Sequence, residues 1–497
     1  MISRRFIAAP LATLLACSTI LAQDRAPAAS PATPELTLAQ CITRALQKNF
    51  DLEIGRYGPA IAQDSIEIAK AGFDPTLSLT SSRSFTQQPG SLSTLDGSAA
   101  PTSDNTNTRL ALSQRIATGA TVGVSTRLSR SSSNSSFNTL NPAYNADATL
   151  SVSQPLLRGF GSAVTQSTIK RATLGLQRAN LDYKTQALNV IQNTENAYAN
   201  LAFAREQLAV RNFSFALANR LFDEAKIRRD TGVATNLDVL TAEVGVANAR
   251  RNVILAEQSV KDRQDALLAL IGQFELDSAV GAVSFPAISD ATPLFASSYQ
   301  LAKQNQPDYL SSQAAIEQLR LDLRLAKNAQ LPTLNLGGAL GYTGRQGSAD
   351  AAYRQIPDLD GYAWQLDLSL SVPLGFRGDK AAYRQSLATL SREQTRLRQL
   401  EQNIEVQVRS AVRSVETNLE SVKIATFAAK LSEQQYELEK ARFDAGQSTS
   451  RRVLQAQEDL ETARISELQA KVSLQGAITA LHRIEGSSLQ RYAVTLP

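Results

Sequence analysis

A stretch of eighteen residues that occurs twice limits what this chain can become more than any other feature. Residues 226–243 read KIRRDTGVATNLDVLTAE and residues 440–457 read KARFDAGQSTSRRVLQAQ. A shift of 214 positions superposes Arg228 on Arg442, Asp230 on Asp444, Gly232 on Gly446 and Thr235 on Thr449. Val239, Leu240 and Ala242 fall in the same way on Val453, Leu454 and Ala456. Helical pattern flanks both copies, so each reads as a helix–turn–helix tip. The glycine supplies the left-handed conformation that ends the incoming helix, and the threonine caps the next one. A chain of 497 residues has the length of about three ordinary domains, but a duplication this large argues for one elongated body of two similar halves.

The rest of the chain follows the same plan. A helix is expected over residues 36–72, stopped by Asp74-Pro75, because proline disfavours helix at the residue before it. The period then changes to two in Thr76-Leu77-Ser78-Leu79-Thr80, as in a strand with unlike faces. Residues 86–145 are rich in Ser, Thr, Asn and Gly, yet alternating runs at 108–116 and 121–130 flank a tight turn at Thr118-Gly119, and 146–154 alternates again up to Pro155. Helix is expected over 162–229 and 237–272. Within the first, Leu201, Leu208, Phe215 and Phe222 recur every seven residues, and so do Ala197, Ala204, Ala218 and Ala225, interrupted only by Arg211. Two such seams suit a helix packed closely on both sides.

A shift of 257 places Asp51, Lys70, Pro75, Thr76 and Leu77 on Asp308, Lys327, Pro332, Thr333 and Leu334. The second half therefore reads as helix 292–329, a strand from Leu331, a loop 344–360, a return strand ending at Pro373, and helices over 377–443 and 450–486. The run from Leu150 to Leu156 falls on Leu368 to Leu374 after a shift of 218. The strand region between prolines is 39 residues longer in the first half than in the second, about one extra hairpin. Sequence leaves open whether that hairpin joins the other strands or folds above them.

The organisation expected is a signal segment 1–22, a linker 23–35, a first repeat 36–272 with strands over about 74–157 and a tip at 230–236, and a linker 273–291. A second repeat follows over 292–486, with strands over about 331–373 and a tip at 444–450, then an irregular tail 487–497. The two long helices span roughly 100 Å each at 1.5 Å per residue, and two of the shorter ones end to end match one long one. The fold class is α+β, a duplicated helix–strand–strand–helix unit. Alternating runs of about ten residues fit a transmembrane β-barrel, or equally the edge of a soluble sandwich.

The first 22 residues have a basic start, an apolar run and small residues at the end, the pattern of a secretory signal. Cleavage after Ala22 competes with lipid attachment at Cys17, because Leu14-Leu15-Ala16-Cys17 resembles a lipobox; the apolar run through Ile20 and Leu21 favours Ala22. Either way Cys41 has no partner and no disulfide framework forms. Beyond the signal there is no apolar run long enough for a membrane helix. Formal charge is +5, with Arg4 and Arg5 in the signal, so nothing points to nucleic acid.

Helix–strand–strand–helix, duplicated, with a Gly-centred tip in each half, resembles the TolC family of outer-membrane efflux ducts. The resemblance covers about residues 36–486 and rests on LTLAQCITRALQKNFDL, AKAGFDPTLSL with AKNAQLPTLNL, LSVSQPLLRGFG and the two tips. It implies a homotrimer whose strands close one shared barrel in outer-membrane lipid and whose helices form a tunnel through the periplasm. It also implies docking on a periplasmic adaptor protein coupled to an inner-membrane pump, proton-driven or of the ABC type. The resemblance places adaptor contact on Arg228, Asp230, Gly232, Thr235, Arg442, Asp444, Gly446 and Thr449; plain helix capping is the alternative for the glycines and threonines. It also implies a narrow entrance, often ringed by acidic residues, on the helix after the second turn, and this sequence departs from that. Here Asp238 of the first tip becomes Arg452 in the second, beside Arg451, so a trimer would carry arginines at its mouth, unless they face solvent or pair with Glu458.

No catalytic residue, cofactor or metal site emerges. His482 is the sole histidine, which removes histidine-dependent hydrolase triads, and no nucleotide-binding fingerprint is present. Tyr342, Tyr353, Tyr362 and Trp364 are candidates for an interfacial girdle or for packing inside a loop. A coiled-coil surface protein is the main rival function, and it leaves the proline-bracketed strand pairs unexplained. A stand-alone porin would need many more strands and no 100 Å helices.

Overall fold

The computed structural model describes residues 36–89, 100–136, 138–272, 281–285 and 292–493. The signal segment with Cys17, the 23–35 linker and most of 273–291 lie outside the described residues. The first half runs α1 (Leu38–Lys48), α2 (Phe50–Ala71), β1 (Thr76–Gln87), β2 (Thr102–Arg115), β3 (Thr121–Ser133), β4 (Ala143–Pro155), α3 (Ser162–Thr165), α4 (Ser167–Asp230) and α5 (Asn236–Leu270). The second runs α6 (Phe295–Asn305), α7 (Pro307–Ala329), β5 (Thr333–Gln346), α8 (Ala349–Arg354), β6 (Tyr362–Ser371), α9 (Arg377–Asp444), α10 (Ser450–Glu485) and a final turn α11 (Ser488–Arg491).

The helices α4 and α9 have 64 and 68 residues, about 96 and 102 Å at 1.5 Å per residue. The regions 36–72 and 292–329, expected as single helices, are each broken in two. The breaks fall at Asn49 and Gln306, positions related by the same shift of 257. Asn49 leaves the helical region at φ −71°, ψ 127°, and its side chain accepts from the Asp51 and Leu52 N–H groups. Its amide donates to the Leu270 carbonyl at 3.1 Å. Gln306 sits at φ −69°, ψ 119° before Pro307, whose ring excludes helix at the preceding residue. That dipeptide was the sequence signal for the break.

Consequently α1 and α6 turn aside, α1 against α4 and α6 against α9 and α10. At these joints α2 stacks on α5 and α7 on α10. Gly272 closes α5 at φ +65°, where a side chain would collide with the Lys48 carbonyl; its counterpart Gly486 closes α10 at φ +68° against the Asn305 carbonyl. Each joint carries its own apolar core. Cys41, Ile42, Ile191, Leu201, Leu267 and Ile271 form one, and Ala302, Ile404, Val408, Val415, Leu474 and Leu481 the other.

Across the bundle the order is α2/α5, α4, α7/α10, α9. The α4–α10 seam that joins the halves is largely polar. Gln457 donates to the Ser214 carbonyl at 2.7 Å, Arg483 to Asn189 at 2.7 Å, and Thr479 to the buried Glu195. Arg211 interrupts the alanine seam because it forms an ion pair with Glu461 of α10. The tail is not irregular throughout: α11 buries Leu489, and Tyr492 donates to Glu195 at 2.6 Å, locking the chain end onto α4.

The six strands among the described residues form one antiparallel sheet in sequence order. The 86–145 region thus adds β2 and β3 to the sheet, and 344–360 holds the end of β5, α8 and a short 3-10 turn. One register row crosses every strand: Leu77, Leu112, Val124, Leu150, Leu340, Trp364, all exposed. The adjacent row, Ser78, Ala111, Ser125, Thr149, Gly341, Ala363, lies on the other face and is small or polar. An apolar face exposed across six strands is what lipid demands, with a water-filled lumen behind it. Tyr342 and Tyr362 share the apolar face one row above, whereas Tyr353 packs from α8, its hydroxyl 3.2 Å from Thr126.

Burial pushes the Cys41 thiol up to about 11. At pH 8 the reactive thiolate is therefore scarce, and an aromatic disulfide reagent should titrate Cys41 only after denaturant unfolds the α1–α4 core.

Candidate functional site

The two tips lie at the far end of the bundle from the sheet. In the first, Gly232 adopts φ +78°, and the N–H groups of Val233 and Ala234 return to the Arg228 carbonyl at 2.8 and 3.1 Å. Thr235 then caps α5 in a full capping box: its hydroxyl accepts from the Asp238 N–H at 3.2 Å, and Asp238 accepts from the Thr235 N–H at 2.9 Å. The hydroxyl proton of Thr235 also points to Asp238, at 2.7 Å. These hydrogen bonds hold the Asp238 carboxyl below the usual carboxylate range, the hydroxyl contact contributing most.

In the second tip the turn is preserved and the cap is not. Gly446 has φ +74°, and the Gln447 N–H returns to the Arg442 carbonyl at 2.8 Å. Thr449 precedes α10 but makes no side-chain capping bond. Arg452 stands where Asp238 completes the first box, so the reciprocal half of a capping box has no acceptor here. Arg451 and Arg452 are both exposed, and neither forms an ion pair among the described residues. Both sit in the first turn of α10, where the helix dipole disfavours cations.

The structure brings the two tips together through one residue. Arg228 donates to the Phe443 carbonyl at 3.1 Å and to Glu224 at 2.7 Å, and its guanidinium stacks on the Phe443 ring at 3.8 Å. Asp444 lies 4.0 Å from the same guanidinium. Its counterpart Arg442 lies 3.8 Å from Glu439 of its own helix. Asp230 is exposed and paired with its neighbour Arg229 at 2.7 Å.

Sequence reasoning missed an apolar difference between the tips. Ile227, Val233 and Leu237 are exposed on the first tip, Val233 at 76%; their counterparts in the second are Ala441, Gln447 and Arg451. Setting the two copies side by side for hydropathy would have found it. His482 lies half-buried near the joint at the other end of α10, with Arg491 2.9 Å from its Nε2. Burial, then that arginine, pull its pKa down to about 4, so it is neutral at physiological pH.

Two long helices, stacked short ones, a lipid-faced sheet and a pair of turned tips define a TolC-like outer-membrane channel. The family described as outer membrane efflux protein matches residues 120–273 and 298–487, and this chain belongs to it. It is 26% identical over 326 residues to the pyoverdine export outer membrane protein OpmQ of Pseudomonas putida, an alignment covering 62% of this chain and 65% of that protein. The chain thus matches just under two thirds of that relative's length. Among solved structures, the outer-membrane channel OprN superposes with a TM-score of 0.67 at 17% identity, covering 90% of both chains. The open-state MtrE channel of Neisseria gonorrhoeae gives 0.65 at 18% identity, covering 93% of this chain and 92% of that one. The fold and family place the protein in the outer membrane, reaching into the periplasm.

Removing the first cap by Thr235→Ala should cost about 1 kcal/mol of local stability, while Thr449→Ala should fall within about 0.5 kcal/mol of neutral. Amide hydrogen exchange at the starts of α5 and α10 reads both. Because the folded Asp238 pKa is depressed, its contribution is complete above the ordinary value near about 4 and lost as pH falls through the lowered one. Exchange protection at the start of α5 should therefore decay in strong acid, and that of α10 should not follow it.

Proposed function

We propose that this chain is the passive outer-membrane duct of a tripartite export assembly, a homotrimer receiving cargo from a periplasmic adaptor and an inner-membrane pump. The observation that carries the reading is that one chain leaves its walls open. Helix α4 is flanked on both sides within the chain, but α9 only on one. The free side of α9 exposes Ile424, Phe427, Leu431 and Leu438, spaced by three, four and seven residues as one stripe. The opposite edge exposes Ile54, Tyr57, Ile61 and Ile68 on α2 and Leu237, Leu240 and Val244 on α5. These are the two halves of a helix-packing seam, which three copies would close into a tunnel.

Export is the role named for the OpmQ relative, and it is the role assigned here. The tips are the adaptor-docking end. Arg228, Asp230, Gly232, Thr235, Arg442, Asp444, Gly446 and Thr449 shape the turns, and Val233 with Ile227 offers the apolar contact. Asp238 serves the cap. The entrance charge comes from Arg451 and Arg452, whose exposure at a helix start that disfavours them supports a functional role. The rival reading as a surface coiled coil has no use for a lipid-faced sheet.

Three observations test this. The detergent-extracted protein should be a trimer with single-channel conductance, and a stable monomer would overturn the duct. Ile424→Glu combined with Phe427→Glu should convert trimer to monomer on native mass measurement while the helical circular dichroism persists. Arg452→Asp should move the bilayer ion selectivity from anions toward cations; unchanged selectivity removes the arginine mouth.

A further inference from the structure

We infer that each chain contributes six membrane strands rather than four, and that β6 of one copy pairs with β1 of the next to close an eighteen-stranded barrel. The inference rests on the trimeric reading above and adds to it the strand count, the joint and its register.

The additional hairpin is built into the wall. Strands β2 and β3, of 14 and 13 residues, lie between β1 and β4 and pair along nearly their whole length. They carry the same two faces as their neighbours, with Leu110, Leu112, Val122 and Val124 on the apolar side and Arg109, Ser113, Ser125 and Arg127 on the polar side. A hairpin folded above the barrel would have no need of an apolar face in register with the lipid-facing row.

The hairpin's turn is also fastened at the helical end of the sheet. The Gly161 N–H donates to the Thr118 carbonyl at 3.0 Å, and the Thr118 hydroxyl bonds Gln154 at 3.1 Å. Gly119, at φ +97°, packs so tightly on the Gly159 carbonyl that a side chain there would collide with it. The two strands therefore run from the strand-to-helix joint outward, as β1 and β4 do.

Both edges of the six-stranded sheet lack a second partner among the described residues, and every residue of β1 and β6 is exposed. In hydrocarbon an unpaired edge leaves N–H and C=O groups unsatisfied, at several kcal/mol each. With six strands alternating in direction, β1 and β6 run oppositely, so β6 placed beside a second copy's β1 makes an antiparallel pair and continues the alternation.

The chain contains its own template for that joint. Within one copy the first half's last strand, β4, pairs with the second half's first, β5, with Ser151 opposite Ala339 and Val152 opposite Gly338. The repeat equivalences carry β4 onto β6 by 218 positions and β5 back onto β1 by 257. The joint between copies is then Ser369 opposite Ser82 and Leu370 opposite Ser81. This register matches faces, setting Leu368 and Leu370 on the same side as β1's Leu77 and Leu79. A slip of one residue would turn every leucine of one strand into the lumen. The template continues past the strand: Leu156 donates its N–H to the Leu334 carbonyl at 2.7 Å. Its image, Leu374, is 99% exposed, where the neighbouring chain would cover it.

Three six-stranded sheets give eighteen strands, whereas two strands from each half would have given twelve. With strands about 4.8 Å apart and tilted about 40°, eighteen close at a diameter of about 36 Å and twelve at about 24 Å. The inferred barrel is about 1.5 times wider, with about twice the cross-section.

The test begins with the purified full-length protein in lipid nanodiscs. Its mass gives the number of copies, and a cryo-EM section through the membrane gives the strand count and diameter. Paired substitutions in a Cys41→Ala background, Ser369→Cys with Ser82→Cys and separately Leu370→Cys with Ser81→Cys, sample both kinds of antiparallel pair. At least one should oxidise to a trimer that survives denaturing gels until reduced, while the off-register pair Ser369→Cys with Ser84→Cys should not. Eighteen strands with in-register cross-linking support the inference. A trimer whose section shows twelve strands, or that cross-links only off register, overturns it and leaves the duct reading standing. A monomer overturns both.

Discussion

Backbone hydrogen bonding in a solvent that offers none is the constraint on which this architecture depends. A strand in lipid must find a neighbour on both sides, and an open six-stranded sheet cannot supply one at its edges. The chain therefore describes only a sector of the finished object. Everything beneath the sheet has the same incompleteness: α9 is flanked on one side, and the α2/α5 edge exposes an apolar stripe that a monomer in water would not keep. Sheet edge and helix edge come open on the same two sides, so the association that closes one closes the other.

Duplication explains how a single chain can build such a sector without a conventional globular core. Each half places a 64- or 68-residue helix beside two stacked short ones, and each fills the stacking joint with its own cluster of buried side chains. Gly272 and Gly486 permit the close approach of chain ends that a side chain would prevent. Between the halves, polar contacts along α4 and α10 fix alignment in a way that interchangeable leucines would not.

The halves diverge where they meet other things. At the sheet the first half has gained a hairpin. At the tips it keeps the capping box and an apolar turn, while the second half exchanges Asp238 for Arg452 and loses both. A helix start that carries two arginines and an unbonded threonine breaks local rules, and such departures in a repeated unit concentrate at the end that faces partners and cargo.

The duplication, the tips, the strand-to-helix turns and the membrane-type alternation were all legible in the sequence, because local conformation and two-residue or seven-residue periodicity are written in nearby residues. Gly232 and Gly446 ended their helices as their types require, and the proline-bracketed runs became strands. Other features needed the folded chain. The break at Asn49 depends on what the neighbouring α5 presents, the Leu270 carbonyl that its side-chain amide reaches. Arg228 became a clamp between tips only because tertiary packing set Phe443 beneath it, and Asp238 proved to be bound to its own cap. The placement of β2 and β3 was the clearest division between the two. Their alternation was visible in residues 108–130, but only pairing across the sheet could decide whether it faced lipid, because a strand's two faces acquire their meaning from the neighbours that share its register.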